Sequence, residues 1–165
     1  MKRGYGSVGV DVLECINPMK GRWMLRYDIK PTENDGEVSF ISQVIEHKPT
    51  MSEVKNIILS WMNGEIDEEL IGGFVWNGMA VWLSSENQFN YKAAYDLAVQ
   101  TKGANLPVTF KFGSTDEPVY HEFTSVEELT EFYTSAMGYI NGVLNEGWKA
   151  KDAVDWSPYA MALGE

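Results

Sequence analysis

The stretch Phe74-Val75-Trp76-Asn77-Gly78-Met79-Ala80-Val81-Trp82-Leu83 is the strongest local signal in the chain. Asn77-Gly78 supplies the two residues of positive φ that a type I′ turn requires, and β-branched and aromatic residues flank it on both sides. The sequence therefore predicts a tight β-hairpin. Directly after it, Ser85 and Gln88 have the spacing of a capping box, which predicts a helix that ends at Lys102-Gly103.

This helix is predicted to bury one apolar face, formed by Phe89, Ala93, Ala94, Leu97 and Ala98. The order of hairpin and capped helix then recurs further along the chain.

In the second occurrence, residues 107–112 and 119–123 alternate as strands, and Thr124 with Glu127 forms a capping box that opens a helix to about Trp148. Two ββα units combine naturally into one antiparallel sheet with helices on one face. Residues 73–152 are therefore predicted to form a ββαββα domain, and the fold class is α+β.

Residues 1–72, before this domain, are predicted to form a β-rich lobe with one helix. Strands are expected at residues 10–16, 21–29 and 37–45, where β-branched and aromatic residues lie between turn signals. Thr50-Met51-Ser52-Glu53 is a capping box for a helix over 51–62, which Asn63-Gly64 is expected to end. A short acidic helical turn or loop at 65–70 would then lead to the lobe boundary at Gly72-Gly73.

The last segment, residues 153–165, is apolar in part but has little periodicity. It is expected either to wrap around the domain or to dock on a partner. Tryptophan, tyrosine and methionine are enriched at protein interfaces, so Trp148, Trp156, Tyr159 and Met161 are the candidate partner surface.

The composition excludes several classes of protein. The 13 Lys and Arg residues against 24 Asp and Glu residues give a net charge of −11, which opposes non-specific binding to DNA or RNA. One cysteine, Cys15, allows no intramolecular disulfide and is expected to be a small core residue. The N-terminal residues lack the apolar stretch of a secretory signal, and the chain has no run long enough for a membrane span. Synthesis and retention in a cytoplasm are expected.

The sequence offers no strong catalytic, cofactor or metal motif. Gly4 to Gly9 matches G-x-G-x-x-G, but it neither follows a strand nor opens a helix, so a flexible terminus is expected instead of a dinucleotide site. His47 and His121 have no further ligand at metal-binding spacing, and the carboxylates between Asp116 and Glu131 lack the spacing of a calcium loop. No cofactor or metal is predicted.

Four stretches carry a resemblance to known sequences: residues 73–90, 106–112, 123–129 and 147–149. Together they resemble a family of uncharacterised domains carried by tailed bacteriophages and prophages. In that family a hairpin, a helix, a second hairpin and a closing helix recur, commonly beside tail and tail-fibre genes. The whole chain looks like the short stand-alone members found in phages of gut anaerobes. The resemblance covers roughly Val38 to Trp156 and implies association with a phage, but it transfers no catalytic residue.

The leading hypothesis is a non-enzymatic bacteriophage structural protein, associated with the tail or tail fibre of the virion and made in the host cytoplasm. Its expected partners are other phage proteins in a symmetric homo- or hetero-oligomer, without nucleic acid or membrane. One alternative is a cytoplasmic assembly factor for tail fibres that is not retained in the virion. A second alternative is an enzyme or small-ligand binder that uses Tyr120, His121 and Glu122 as its polar cluster.

Overall fold

A computed structural model describes residues 3–165, which form two compact units. Unit 1 contains residues up to 61 together with 153–165, and unit 2 contains 62–152. These units differ from the predicted ranges 1–72, 73–152 and 153–165 in two ways. The boundary after residue 61 lies inside a long helix, and the C-terminal segment 153–165 belongs to unit 1. No helix within residues 3–165 is long and apolar enough to cross a membrane.

Unit 1 is built on a four-stranded antiparallel sheet in the order β1-β4-β3-β2. Its strands are β1 (Arg3–Ser7), β2 (Leu13–Asn17), β3 (Arg22–Pro31) and β4 (Glu37–Ile45). The predicted hairpin between β2 and β3 is confirmed: the Asn17 side chain accepts a hydrogen bond from the Lys20 backbone, and Gly21 has a φ of 64°. Cys15 lies on the edge strand β2 and is half-buried, so it is not the fully buried residue that was expected.

The expectation of a flexible N-terminus is wrong, because Arg3–Ser7 pairs with β4 along its whole length. The surroundings or the backbone angle of each glycine in the G-x-G-x-x-G match explains why a glycine is present there. A Cβ on Gly4 would lie 2.8 Å from the Phe40 ring and one on Gly6 would lie 3.2 Å from it, while Gly9 has a φ of +88°. The motif therefore lets the Phe40 ring lie against β1 and lets the chain turn after it.

Helix α1 (Met51–Gly72) runs ten residues beyond its predicted end at Met62. The Thr50 capping box is confirmed, because the Thr50 backbone N–H donates to Glu53 Oε2 at 2.7 Å and the Glu53 N–H donates to Thr50 Oγ1 at 3.3 Å. Asn63-Gly64 does not stop the helix, and the predicted break before residues 65–70 is absent.

Tertiary packing explains the longer helix. The Ile66 side chain occupies the space that a Cβ on Gly147 would need, and the Tyr139 hydroxyl donates to the Glu69 carbonyl at 2.7 Å. The Lys151 amine also donates to Asn63 Oδ1. These contacts stabilise the second half of α1 in unit 2 and override the local stop signal.

Unit 2 confirms the predicted order of elements and, with unit 1, the α+β class. After α1 come β5 (Phe74–Trp76), β6 (Met79–Val81), α2 (Ser85–Thr101), β7 (Val108–Gly113), β8 (Pro118–Phe123) and α3 (Val126–Asp152). Asn77 and Gly78 have φ values of 48° and 78°, as a type I′ turn requires. The two hairpins form separate two-stranded ladders, instead of the single sheet that the repeat suggested.

Aromatic side chains join these ladders to the helices. The Trp76 ring lies 5.4 Å from Phe123 and 5.2 Å from Phe132 of α3, measured between ring centroids. Tyr91 of α2 lies 4.8 Å from Phe110 and 5.1 Å from Phe132. The core of unit 2 is therefore a cluster of rings that replaces backbone pairing between the hairpins.

The predicted details of α2 and α3 need two corrections. Each cap lies one residue away from its predicted position: Ser84 Oγ accepts from the Asn87 N–H at 3.3 Å, and Ser125 Oγ accepts from the Glu128 N–H at 3.2 Å. The predicted apolar face of α2 is also rotated. Ala98 is buried as predicted, but Phe89 is 71% exposed and Leu97 is 48% exposed, because Tyr91 and not these two side chains points into the aromatic core.

Candidate functional site

The structure places the four predicted partner residues in different surroundings. Trp148 lies in unit 2 and is 55% exposed, while the other three belong to unit 1. Met161 is 72% exposed, Trp156 is half-buried, and Tyr159 is buried at 7% exposure. Tyr159 therefore lies in the core of unit 1 and not on an exposed surface, as its inclusion in the candidate surface required.

Tyr159 instead anchors the C-terminal segment, which forms helix α4 (Ser157–Leu163), to the sheet of unit 1. Its hydroxyl donates to the Arg26 carbonyl at 3.1 Å. Burial, with a smaller contribution from Tyr27, raises the pKa of Tyr159 from 10.0 to about 12, so the hydroxyl remains a hydrogen-bond donor well above neutral pH. Leu163 is also buried, and its carbonyl accepts from the Lys48 amine at 2.9 Å. The segment therefore packs on the sheet of unit 1 and not on the predicted 73–152 domain.

The outer side of α4 borders a groove of about 400 Å³, which we call the α4 groove. Pro158, Met161 and Ala162 line one side of it, and the segment 10–13 lines the other. Apart from Asp11, these residues are apolar. Met161 is thus a member of the predicted partner surface that is exposed and lies beside a concave apolar site.

Tyr120, His121 and Glu122 do not form the predicted polar cluster. Successive residues of a strand face opposite sides, and Tyr120 is 69% exposed while His121 faces the aromatic core. The His121 ring lies 5.1 Å from Trp76 and 4.6 Å from Phe123, and its Nε2 lies 2.9 Å from Glu128 Oε1. The hydrogen-bond partner of His121 is therefore Glu128 of α3, and the pair lies beside the aromatic core of unit 2.

The second histidine, His47, supports the start of α1. Its Nε2 lies 2.8 Å from Glu53 Oε1. Hydrogen bonds from the Thr50 backbone and from His47 lower the pKa of Glu53 to about 2. Within residues 3–165, no group of three His, Cys, Asp or Glu side chains is placed to hold a metal ion.

A concave site that sequence reasoning missed lies in unit 2 beside the first hairpin. It is a groove of about 500 Å³, which we call the Trp82 groove, and its lining residues are Trp82, Asn87, Lys111, Phe112, Gly113, Ser114 and Thr115. Trp82 follows β6 directly, Asn87 lies in the first turn of α2, and the remaining residues belong to β7 and the loop after it. No short motif could have revealed it, because the lining comes from two segments separated in sequence.

The geometry of the Trp82 groove is fixed by local hydrogen bonds. Asn87 Nδ2 donates to the Trp82 carbonyl at 2.8 Å, and Ser114 Oγ accepts from the Glu117 N–H at 3.0 Å. Gly113 has a φ of +81°, and a Cβ there would collide with the Glu117 carbonyl oxygen. Only glycine fits this position, which shapes the loop at the side of the groove.

Comparison with protein-family models, with curated proteins and with solved structures finds no match to this chain.

Proposed function

We propose that this chain is a non-enzymatic structural protein of a tailed bacteriophage, associated with the tail or tail fibre and acting through contacts with other phage proteins. The resemblance of roughly Val38 to Trp156 to phage-borne domains supports the association with a phage. The observation that carries a role in protein contacts is Met161, which is 72% exposed beside the apolar α4 groove.

Met161 has the surroundings of an interface residue. Tyr159 and Leu163, on the same short helix, are buried and hold the helix against the sheet. Met161 is therefore presented on an anchored element, and ordering it in a complex costs little backbone entropy. A methionine side chain adapts to the shape of a partner, and aliphatic side chains line the groove beside it.

Quantitative mass spectrometry of purified particles of the phage that encodes this chain tests the proposal. Copies of the chain are counted against the major capsid protein. A symmetric tail, fibre or neck position would give a copy number at a multiple of roughly three or six. Absence from particles together with abundance in infected cells would contradict a virion role and favour the assembly factor.

A pair of methionine variants tests the surface itself. Met161→Glu places a charge beside the α4 groove and is expected to reduce incorporation into particles by roughly tenfold or more. Met19→Glu is the matched control, because Met19 is 98% exposed in the turn between β2 and β3. Equal incorporation of both variants would exclude the α4 groove as the contact surface.

A further inference from the structure

We propose that the Trp82 groove binds a short acidic oligosaccharide, with a pyranose ring against the Trp82 indole and the carboxylate of the sugar paired with Lys111. This inference does not rest on the proposed function, because the groove belongs to unit 2 and the α4 groove to unit 1. The Trp82 groove has a volume of about 500 Å³, which lies within the range of small-molecule sites.

The indole provides the apolar part of the site. Trp82 is 58% exposed, although burying its large indole ring would stabilise the core. Its ring lies near the end of α1, since its Cζ3 lies 3.7 Å from where a Cβ on Gly72 would be. An exposed aromatic surface in a groove favours a ligand with one flat apolar face, and the C–H face of a pyranose ring has this property.

Lys111 provides the charge. It makes no ion pair with any carboxylate among residues 3–165, in a chain whose net charge is −11. Its direct partner across the β7–β8 ladder is Tyr120, and the nearby loop carboxylates Asp116 and Glu117 are not among the residues that line the groove. An unpaired ammonium group in a groove favours an anionic ligand.

The remaining polar groups suit the hydroxyl rim of a sugar. Ser114 Oγ already accepts one hydrogen bond, so its proton is free to be donated, and Thr115 offers a second hydroxyl. Asn87 uses one amide donor on the Trp82 carbonyl and keeps Oδ1 as an acceptor. Donors and acceptors around one aromatic surface match a polyhydroxylated ring better than an extended peptide, which needs a row of backbone partners.

Titration of the ¹⁵N-labelled chain with trigalacturonate tests the proposal. The chain has six tryptophans, so the indole N–H region gives one resonance per ring, and the Trp82→Phe spectrum assigns the resonance of interest. We expect the Trp82 resonance to shift in a saturable way, with a dissociation constant in the range of about 0.1 to 1 mM. The resonance of Trp148, which is 55% exposed outside the groove, should stay in place.

Variants and a second sugar separate the contributions. Trp82→Ala and Lys111→Gln should each weaken binding by roughly tenfold, while the matched controls Trp148→Ala and Lys149→Gln should bind like the wild type. The methyl ester of trigalacturonate should also bind roughly tenfold more weakly than the acid. Each variant is first checked for a native amide spectrum, and binding to the variants is followed by the backbone amide resonances of groove residues 111–115, because the Trp82 variants lack the Trp82 indole N–H. Trp82→Phe, which keeps an aromatic ring, should retain most of the binding.

Several results would overturn the proposal. One is the lack of any saturable shift of the Trp82 resonance at about 10 mM trigalacturonate. Equal binding of the acid and its ester would remove the role of Lys111. Tighter binding of a hexaglutamate peptide than of trigalacturonate would assign the groove to acidic peptides instead.

Discussion

At the residue scale, Gly4 shows that a glycine can be required by a neighbour instead of by its own backbone angles. A Cβ at Gly4 would lie 2.8 Å from Phe40 Cε2, and the Arg26 guanidinium lies 5.4 Å from the centroid of the same ring. Because the ring is confined, Gly4→Ala should lower the free energy of unfolding by about 1 to 3 kcal/mol. The shift of the urea midpoint at constant slope measures this change.

Gly142→Ala is the matched control for this prediction. Gly142 lies within α3, and a Cβ there would meet nothing within 4 Å. Alanine should therefore raise the free energy of unfolding by about 0.5 to 1 kcal/mol. If Gly4→Ala were as stable as the wild type, the position of the Phe40 ring would not be the reason for the glycine.

The Glu53 carboxylate carries a pH dependence. Its pKa falls from 4.5 to about 2 in the folded chain, through hydrogen bonds from the Thr50 backbone, His47 and the Thr50 hydroxyl. A depressed folded pKa stabilises the fold above the unfolded value of 4.5, and this stabilisation is lost as the pH falls towards about 2. Denaturant midpoints measured across that window should fall less steeply for Glu53→Gln than for the wild type. If the midpoints of Glu53→Gln and the wild type fell equally steeply with pH, Glu53 would not be the source of this pH dependence.

At the element scale, α4 depends on one buried ring. Tyr159→Ala should cost about 3 to 5 kcal/mol, because it empties a buried aromatic site against β3. Tyr159→Phe should cost about 1 kcal/mol through loss of the hydrogen bond to the Arg26 carbonyl, which is 3.1 Å long. Met161→Ala, two residues away and exposed, should stay within about 0.5 kcal/mol of the wild type. Thermal melts of the three variants check this order. If Tyr159→Ala melted at the same temperature as the wild type, α4 would not contribute to the core of unit 1.

The helices and strands also show which structural features can be predicted from the sequence. The Asn77-Gly78 turn, strand β4 and the Thr50 capping box follow from local chemistry, and the structure confirms them. The continuation of α1 past Gly64 was not predictable, because it depends on Ile66 meeting Gly147 of a helix much later in the chain. The Trp82 groove has the same origin, since Lys111 reaches it only through the tertiary fold.

At the scale of the whole molecule, the net charge of −11 leaves acidic side chains without partners. The last third of α1 concentrates this excess: Glu65, Asp67, Glu68 and Glu69 are exposed, and its last turn has no basic residue. Negative charge near the C-terminus of a helix opposes the macrodipole, and Glu65 and Glu69 also repel each other at a spacing of four residues. The acidic excess is therefore expected to reduce the stability of the fold.

Glu69→Lys tests this expectation, because it reverses one charge and gives Glu65 a favourable lysine partner one helix turn further on. The Tyr139 hydrogen bond should survive, since it ends on the backbone carbonyl of residue 69. The free energy of unfolding should rise by about 0.5 to 1 kcal/mol at low salt, and Glu69→Gln should give roughly half of this gain. Because the Debye length shortens to about 3 Å in 1 M salt, urea titrations there should show most of the gain removed. A gain that persisted in 1 M salt would have to arise from packing or helix propensity, and the acidic surface would then not limit the stability of this fold.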